Sequence, residues 1–176
     1  MLRLLPRLLL RLLCVALVTC GAARADELSE VQRLHAAGQT AAALQAADKY
    51  LAGKPKDAQM RFVRGVMLAE TKRSAEAAQV FEKLIEDYPE LPEPYNNLAA
   101  LQAAAGDYDR ARALLDQALR ANPGFAPAHE NLGDVLSMLA LRAYAKALEL
   151  EPANATVPPK LTLVRQIVNP TGRRGP

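Results

Sequence analysis

Four prolines, Pro55, Pro89, Pro123 and Pro152, each close an apolar, alanine-rich stretch, and the spacings between them are 34, 34 and 29 residues. A fixed period of this size constrains the fold more than any single residue does. Equal units stack each on its neighbour and build a continuous core, whereas one unit alone cannot bury its apolar face. Proline cannot continue a helix, so each of the four marks the end of a unit. Between them alanine and leucine dominate, tryptophan is absent and no run alternates β-branched with polar residues. That pattern predicts an all-α chain packed through small residues.

The units share more than their length. Residues 92–125 carry Tyr95, Leu98-Ala99, Gln102, Gly106-Asp107-Tyr108, Ala111, Leu115 and Pro123. Residues 58–91 carry Arg64-Gly65, Leu68, Ala77, Phe81 and Pro89, and 126–154 carry His129, Leu132-Gly133, Leu136, Ala140, Tyr144 and Pro152. The first unit, 24–57, keeps Leu34, Gly38, Ala43 and Pro55, with Val31 and Ala47 at the two departures. In period and motif the chain resembles the tetratricopeptide-repeat family, which implies an α-solenoid of about four helix pairs. The physical logic agrees. A small residue at the eighth position (Gly65, Ala99, Gly133) lets two helices approach closely, and alanine at the twentieth (Ala43, Ala77, Ala111, Ala140) does so from the other side. A large residue at the twenty-fourth (Phe81, Leu115, Tyr144) fills the space between pairs, with His129 filling the large-residue place of its own repeat. Asp57, Ser74 and Asp107 are the expected helix starts.

The fourth repeat is five residues short, and the missing piece is the turn between its two helices. From Ala128 to Leu150 no proline occurs, Gly133 is the lone glycine, and Leu132, Leu136, Leu139, Ala143, Ala147 and Leu150 keep helical phase. The expectation is one fused helix of about 23 residues, roughly 34 Å long. Its second half would expose Ala140, Tyr144 and Leu148 unless something covers them. Two covers are available. Residues 159–168 read as a capping helix with Leu161, Val164, Ile167 and Val168 on one face. Alternatively, a second copy supplies the missing helix and the chain is a homodimer. A tight turn near Ser137–Ala140 is the alternative to fusion. The tail, 169–176, is expected to be disordered.

Ahead of the repeats, residues 1–25 hold Arg3, Arg7, Arg11 and Arg24, no acid, and an uncharged stretch from Leu12 to Ala23. Ala23-Arg24-Ala25 places small residues at −3 and −1 before Asp26, the layout of a secretory signal peptide. The apolar stretch is about half the ~20 residues that span a membrane. The domain would then run from 26 to 168, exported to a bacterial periplasm. Two other readings stand: an uncleaved anchor, or a lipoprotein attached to the outer membrane through Cys20 in Leu17-Val18-Thr19-Cys20-Gly21. Both cysteines, Cys14 and Cys20, lie in this segment, so the processed chain holds no disulfide and no thiolate ligand. Discounting its four arginines leaves 18 basic against 19 acidic residues. The overall charge of +3 is therefore no argument for nucleic acid.

What could carry function is implied by the resemblance. In that family the first helix of each pair lines a groove. The matching positions are Phe62, Val63, Val66 and Glu70 in the second repeat and Glu93, Asn96, Asn97 and Ala100 in the third. In the fourth they are Glu130, Asn131, Asp134 and Met138. Asn97 and Asn131 share one position in successive repeats, and an amide can pair with both groups of a peptide backbone. The acids at 93, 130 and 134 suit a neutral or basic segment. The basic residues by which some members clamp a terminal carboxylate are missing from these positions. The two histidines, His35 and His129, fall in different repeats, and no metal spacing, nucleophile triad or phosphate loop is present. The expectation is a non-catalytic protein- or peptide-binding scaffold without cofactor, contacting a membrane only if lipidated; the alternative is a self-associating structural subunit or a lipoprotein adaptor of an envelope complex.

Overall fold

A computed structural model describes residues 27–169; residues 1–26, on which the signal-peptide, anchor and lipoprotein readings and both cysteines fall, and residues 170–176 lie outside it. The described residues form eight helices and no strands. They are α1 (27–36), α2 (Thr40–Gly53), α3 (Ala58–Glu70), α4 (Ser74–Asp87), α5 (Pro92–Ala104), α6 (Tyr108–Ala121), α7 (Ala126–Leu150) and α8 (Val157–Val168). The chain divides into two compact units between Thr71 and Lys72.

In the first unit, α2 packs on α3. The buried residues are Val31 of α1, Ala43, Leu44, Ala47 and Tyr50 of α2, and Met60, Gly65, Met67 and Leu68 of α3. Asp57 caps α3 by accepting from the Met60 N–H at 3.0 Å, and from the Tyr50 hydroxyl at 2.9 Å. It thus satisfies a helix-end donor and ties α2 to α3 through one buried carboxylate.

In the second unit α4, α5, α6 and α7 pack in sequence, each on the next, and α5 also touches α7. The core gathers Tyr95 and Ala99 from α5, Ala111, Leu115 and Ala118 from α6, and Ala128 and Val135 from α7. The alanines at the twentieth position, Ala43, Ala77 and Ala111, are all fully buried, as are Phe81 and Leu115 at the twenty-fourth. Asp107 caps α6 through the Arg110 N–H at 3.1 Å, as its position predicts. Ser74 does not cap α4. It is the first helical residue, and the cap is Arg73, whose side chain makes no capping bond and instead pairs with Glu76 at 2.6 Å.

The turns after α1, α3 and α5 fall one period apart. Gly38 and Gly106 take φ of 74° and 83°, and the next N–H in each turn reaches back to the last helical turn (Gln39 to Leu34 O, Asp107 to Gln102 O). This is the left-handed closure that glycine adopts without penalty. At the corresponding place the second repeat has Lys72, at φ 62°. A side chain in that region costs about 1 kcal/mol. Lys72→Gly should therefore stabilise the protein by about that amount in urea unfolding; a loss of stability would show that the lysine side chain offsets the strain.

The fourth repeat contains no turn. Helix α7 is continuous over 25 residues, roughly 37 Å at 1.5 Å per residue, and no break occurs near Ser137–Ala140. Its first half enters the core through Ala128, Leu132, Val135 and Leu139. Arg142 marks the end of that contact. Its guanidinium donates to Gly106 O at 3.2 Å and sits over the Tyr108 ring at 5.3 Å. The second half of α7 meets α8 instead. Helix α8 starts two residues earlier than its sequence suggests, because Pro158 and Pro159 fit the first turn, where their missing N–H groups cost nothing. Its inward stripe is Val157, Leu161, Val164 and Val168. Ile167 lies about 80–100° round the helix from that stripe and is 61% exposed, contrary to the expected face.

Candidate protein-binding face

The first helices of the pairs supply the expected binding residues, and each unit holds its own set. In the first unit Phe62, Val63 and Val66 are half-buried on α3. Glu70, at the end of α3, is exposed and pairs with the His35 Nε2 at 2.8 Å, joining α3 to α1. Thr40 Oγ1 lies 3.4 Å from the other ring nitrogen. His35 is thereby held in a structural bridge. In the same unit Arg64 and Asp48, 2.6 Å apart, tie α3 to α2.

In the second unit the corresponding residues stand on α5 and α7. Asn96 is 9% exposed, and its Oδ1 accepts from Asn131 Nδ2 at 2.8 Å. A bond between two neutral amides spans the two first helices and fixes their register. Asn97, one residue further on, gives one amide hydrogen to Glu93 O of its own helix at 2.9 Å. Asn97 and Asn131, alike by position in the repeat, therefore differ in role: one is held locally, the other across the pair. Each keeps its Oδ1 and a second N–H without a partner among the described residues. Beside them Glu130 and Asp134 are exposed, Glu93 and Met138 half-buried, and Ala100 exposed. Glu130 and Asp134 enter no salt bridge among the described residues, so the α7 edge of this face is negative and open.

The link between Asn96 and Asn131 is a contact the sequence reading missed. The fifth and sixth positions of successive repeats face each other, and amides at both were the available signal. His129 also differs from expectation. It does not pack in the core but is exposed, with Nε2 2.9 Å from Pro123 O. Gly133 makes no close approach to another described helix either: a Cβ built there would meet nothing beyond its own helix backbone within 4 Å.

Elsewhere the chemistry is sparse. A cleft of about 650 Å³ between α1 and α2 is lined by Glu27, Glu30, Val31, Ala46, Lys49, Tyr50, Gly53 and Lys54, with no nucleophile beside a base. The Glu30 carboxyl is held below its ordinary range because the Arg33 guanidinium donates to it at 2.7 and 2.8 Å, an ordinary exposed pair one helical turn apart. Among the described residues no three His, Cys, Asp or Glu side chains converge on a metal position, and no helix is long and apolar enough to cross a membrane.

Two family models, both described as Tetratricopeptide repeat, match residues 28–92 and 68–133. Together they span more than half of the chain. No match was found among curated proteins. Among solved structures the chain is similar to an O-GlcNAc transferase of Thermobaculum terrenum, with TM-score 0.60 and 21% identity, covering 72% of this chain but only 26% of that one. A thermophilic TPR protein of Thermus thermophilus superposes with TM-score 0.55 and 20% identity over 79% of this chain and 97% of that one. The first TPR of Spaghetti, bound to the HSP90 peptide SRMEEVD, does so with TM-score 0.60 and 16% identity over 65% of this chain and 90% of that one.

Proposed function

The chain belongs to the tetratricopeptide-repeat family, whose repeats serve as protein-interaction scaffolds, and from that premise we propose that it is a non-catalytic adaptor of the bacterial periplasm. The second unit holds an extended neutral or basic segment of a partner protein along α5 and α7. The observation that carries this reading is the amide pair Asn96–Asn131. It sets two first helices in register and leaves Asn97 and Asn131 with unused donors and acceptors beside exposed Glu130 and Asp134. An amide reads peptide backbone whatever the side chains, and each such bond contributes about 1 kcal/mol net. The acids select against a carboxylate and favour lysine or arginine in the guest. The solved Spaghetti domain holds a peptide ending in acids; the face formed here by α5 and α7 has no lysine or arginine at the matching positions, so a different ligand charge follows. The periplasm is supported by the signal-peptide layout of residues 1–25. The absence of catalysis is supported by the two histidines, which stand in different units and are engaged by Glu70 and by Pro123 O.

The test is a crosslinking capture from a bacterial envelope extract, comparing the wild-type chain with Glu130→Lys/Asp134→Lys. Both residues are exposed and unpaired, so helicity should not change. The captured partner should bind the variant at least tenfold more weakly, and raised salt should weaken the wild-type complex. Equal capture by both chains would move binding off this face.

A further inference from the structure

In a complete repeat the second helix lies antiparallel on the first, and the eighth position meets the twentieth while the fourth meets the twenty-fourth. The α5–α6 pair shows it: Tyr95 and Ala99 share a core with Ala111 and Leu115, all at most 6% exposed. In the fourth repeat the same faces exist but do not meet. Among the described residues nothing covers the face that should receive the second helix: His129 and Gly133 are exposed, Leu136 is 44% exposed, and a Cβ at Gly133 would meet nothing beyond its own helix backbone within 4 Å. The residues that should cover it, Ala140 and Tyr144, sit further along the same unbroken helix and cannot fold back. Both remain half-buried, and Lys160 of α8 lies over the Tyr144 ring at 6.0 Å. Helix α8 thus serves the second half of α7 and leaves the first half uncovered.

We propose that a second copy of this chain occupies the bare face, its α7 lying antiparallel on this one. The register follows from the repeat itself. Gly133 must meet Ala140 of the other copy and His129 must meet its Tyr144. Both pairs are symmetric about one point, between Leu136 and Ser137, so a single two-fold axis satisfies both at once, in both copies. On a helix of 3.6 residues per turn, His129, Gly133, Leu136, Ala140, Ala143, Ala147 and Leu150 form one stripe at alternating spacings of four and three, the pattern of a two-helix seam. Leu136, beside the axis, packs near its own counterpart. Leu150, 73% exposed in the single chain, lies at the far end of the same stripe. The small residues at 133 and 140 let the two helices approach as closely as Ala99 and Ala111 allow between α5 and α6. This surface is distinct from the amide-bearing face, so adaptor binding and pairing of copies do not compete for the same side chains.

The test uses the full chain expressed from Met1 in a bacterial host, so that any processing takes place as in the cell. Light scattering across the micromolar range should give twice the polypeptide mass found by mass spectrometry of the same sample. Leu136→Asp, at an exposed position, should weaken the pairing by on the order of 100-fold with unchanged circular dichroism, because a two-fold interface carries the change twice. Register is read separately in a chain with Cys14 and Cys20 replaced by serine. In Gly133→Cys/Ala140→Cys the two sites of one helix are about 10 Å apart, too far for an internal disulfide. Mild oxidation should therefore give a covalent dimer at least tenfold faster than Gly133→Cys/Ala147→Cys, which is out of register. The mass of one polypeptide for the wild type at the top of that concentration range would overturn the proposal and leave the bare face to a different protein. A dimer indifferent to Leu136→Asp, or crosslinking at equal rates in both cysteine pairs, would overturn it as well.

Discussion

Leu115→Ala should destabilise the protein by about 3 kcal/mol, within the range of ~2–5 kcal/mol for fully buried leucines. Leu115 is 0% exposed and lies where α5, α6 and α7 meet, among Tyr95, Ala99, Ala111, Ala118, Ala128 and Val135. Four of those six core residues are alanines, and short side chains cannot swing inward to fill the space left by an isobutyl group. The loss is therefore transfer free energy plus a cavity that stays open. Urea unfolding followed by circular dichroism measures it. Leu114→Ala, one residue earlier and only half-buried, serves as the comparison and should cost less than half as much. Equal losses at the two positions would mean that the packing around Leu115 relaxes freely.

The second large effect belongs to Asp57, where one carboxylate does two jobs. It caps α3 through the Met60 N–H and accepts the Tyr50 hydroxyl of α2, at 9% exposure. Asp57→Ala removes a cap, at about 1 kcal/mol. It also removes a buried hydrogen bond to a charged acceptor, at about 1.5–3 kcal/mol, and strands the Tyr50 hydroxyl. The expected total is about 3 kcal/mol. Asp57→Asn keeps an acceptor for either donor and should cost about 1 kcal/mol. The paired variant Tyr50→Phe separates the two contributions: in the Asp57→Ala background it should cost almost nothing, because its partner is gone. Additive losses would show that the two side chains act independently.

These positions were not equally legible in the sequence. The period located every helix pair, since prolines and small residues recur wherever two helices must stop or touch. The missing five residues identified α7 as unbroken, because a deletion that removes a turn while preserving helical phase leaves the helix no reason to stop. Individual roles in the fourth repeat were misread for the same reason. His129 and Gly133 occupy motif positions whose burial depends on a second helix lying over them, and that helix continues straight ahead. A motif records what a residue touches in a complete repeat, so it misleads where the repeat is incomplete. Ile167 does not share the inward face of α8, because it stands about 100° round the helix from Val168, on the far side of the stripe that Val157 and Leu161 centre. The link from Asn96 to Asn131 is not legible from equivalent positions, because the contact joins the fifth position of one repeat to the sixth of the next.

The unbroken α7 also bears on how such an array could change in length. Repeat genes lengthen by duplicating whole units, and each added unit needs a second helix folded back behind it as the surface on which to dock. Helix α7 runs on where that surface would form, so a fifth unit copied in behind Leu150 would find no seat of the usual kind. Within one chain, the absence of that five-residue turn would thus stop growth by geometry and not by a terminal layer of polar residues. Restoring the turn would reopen the array to extension.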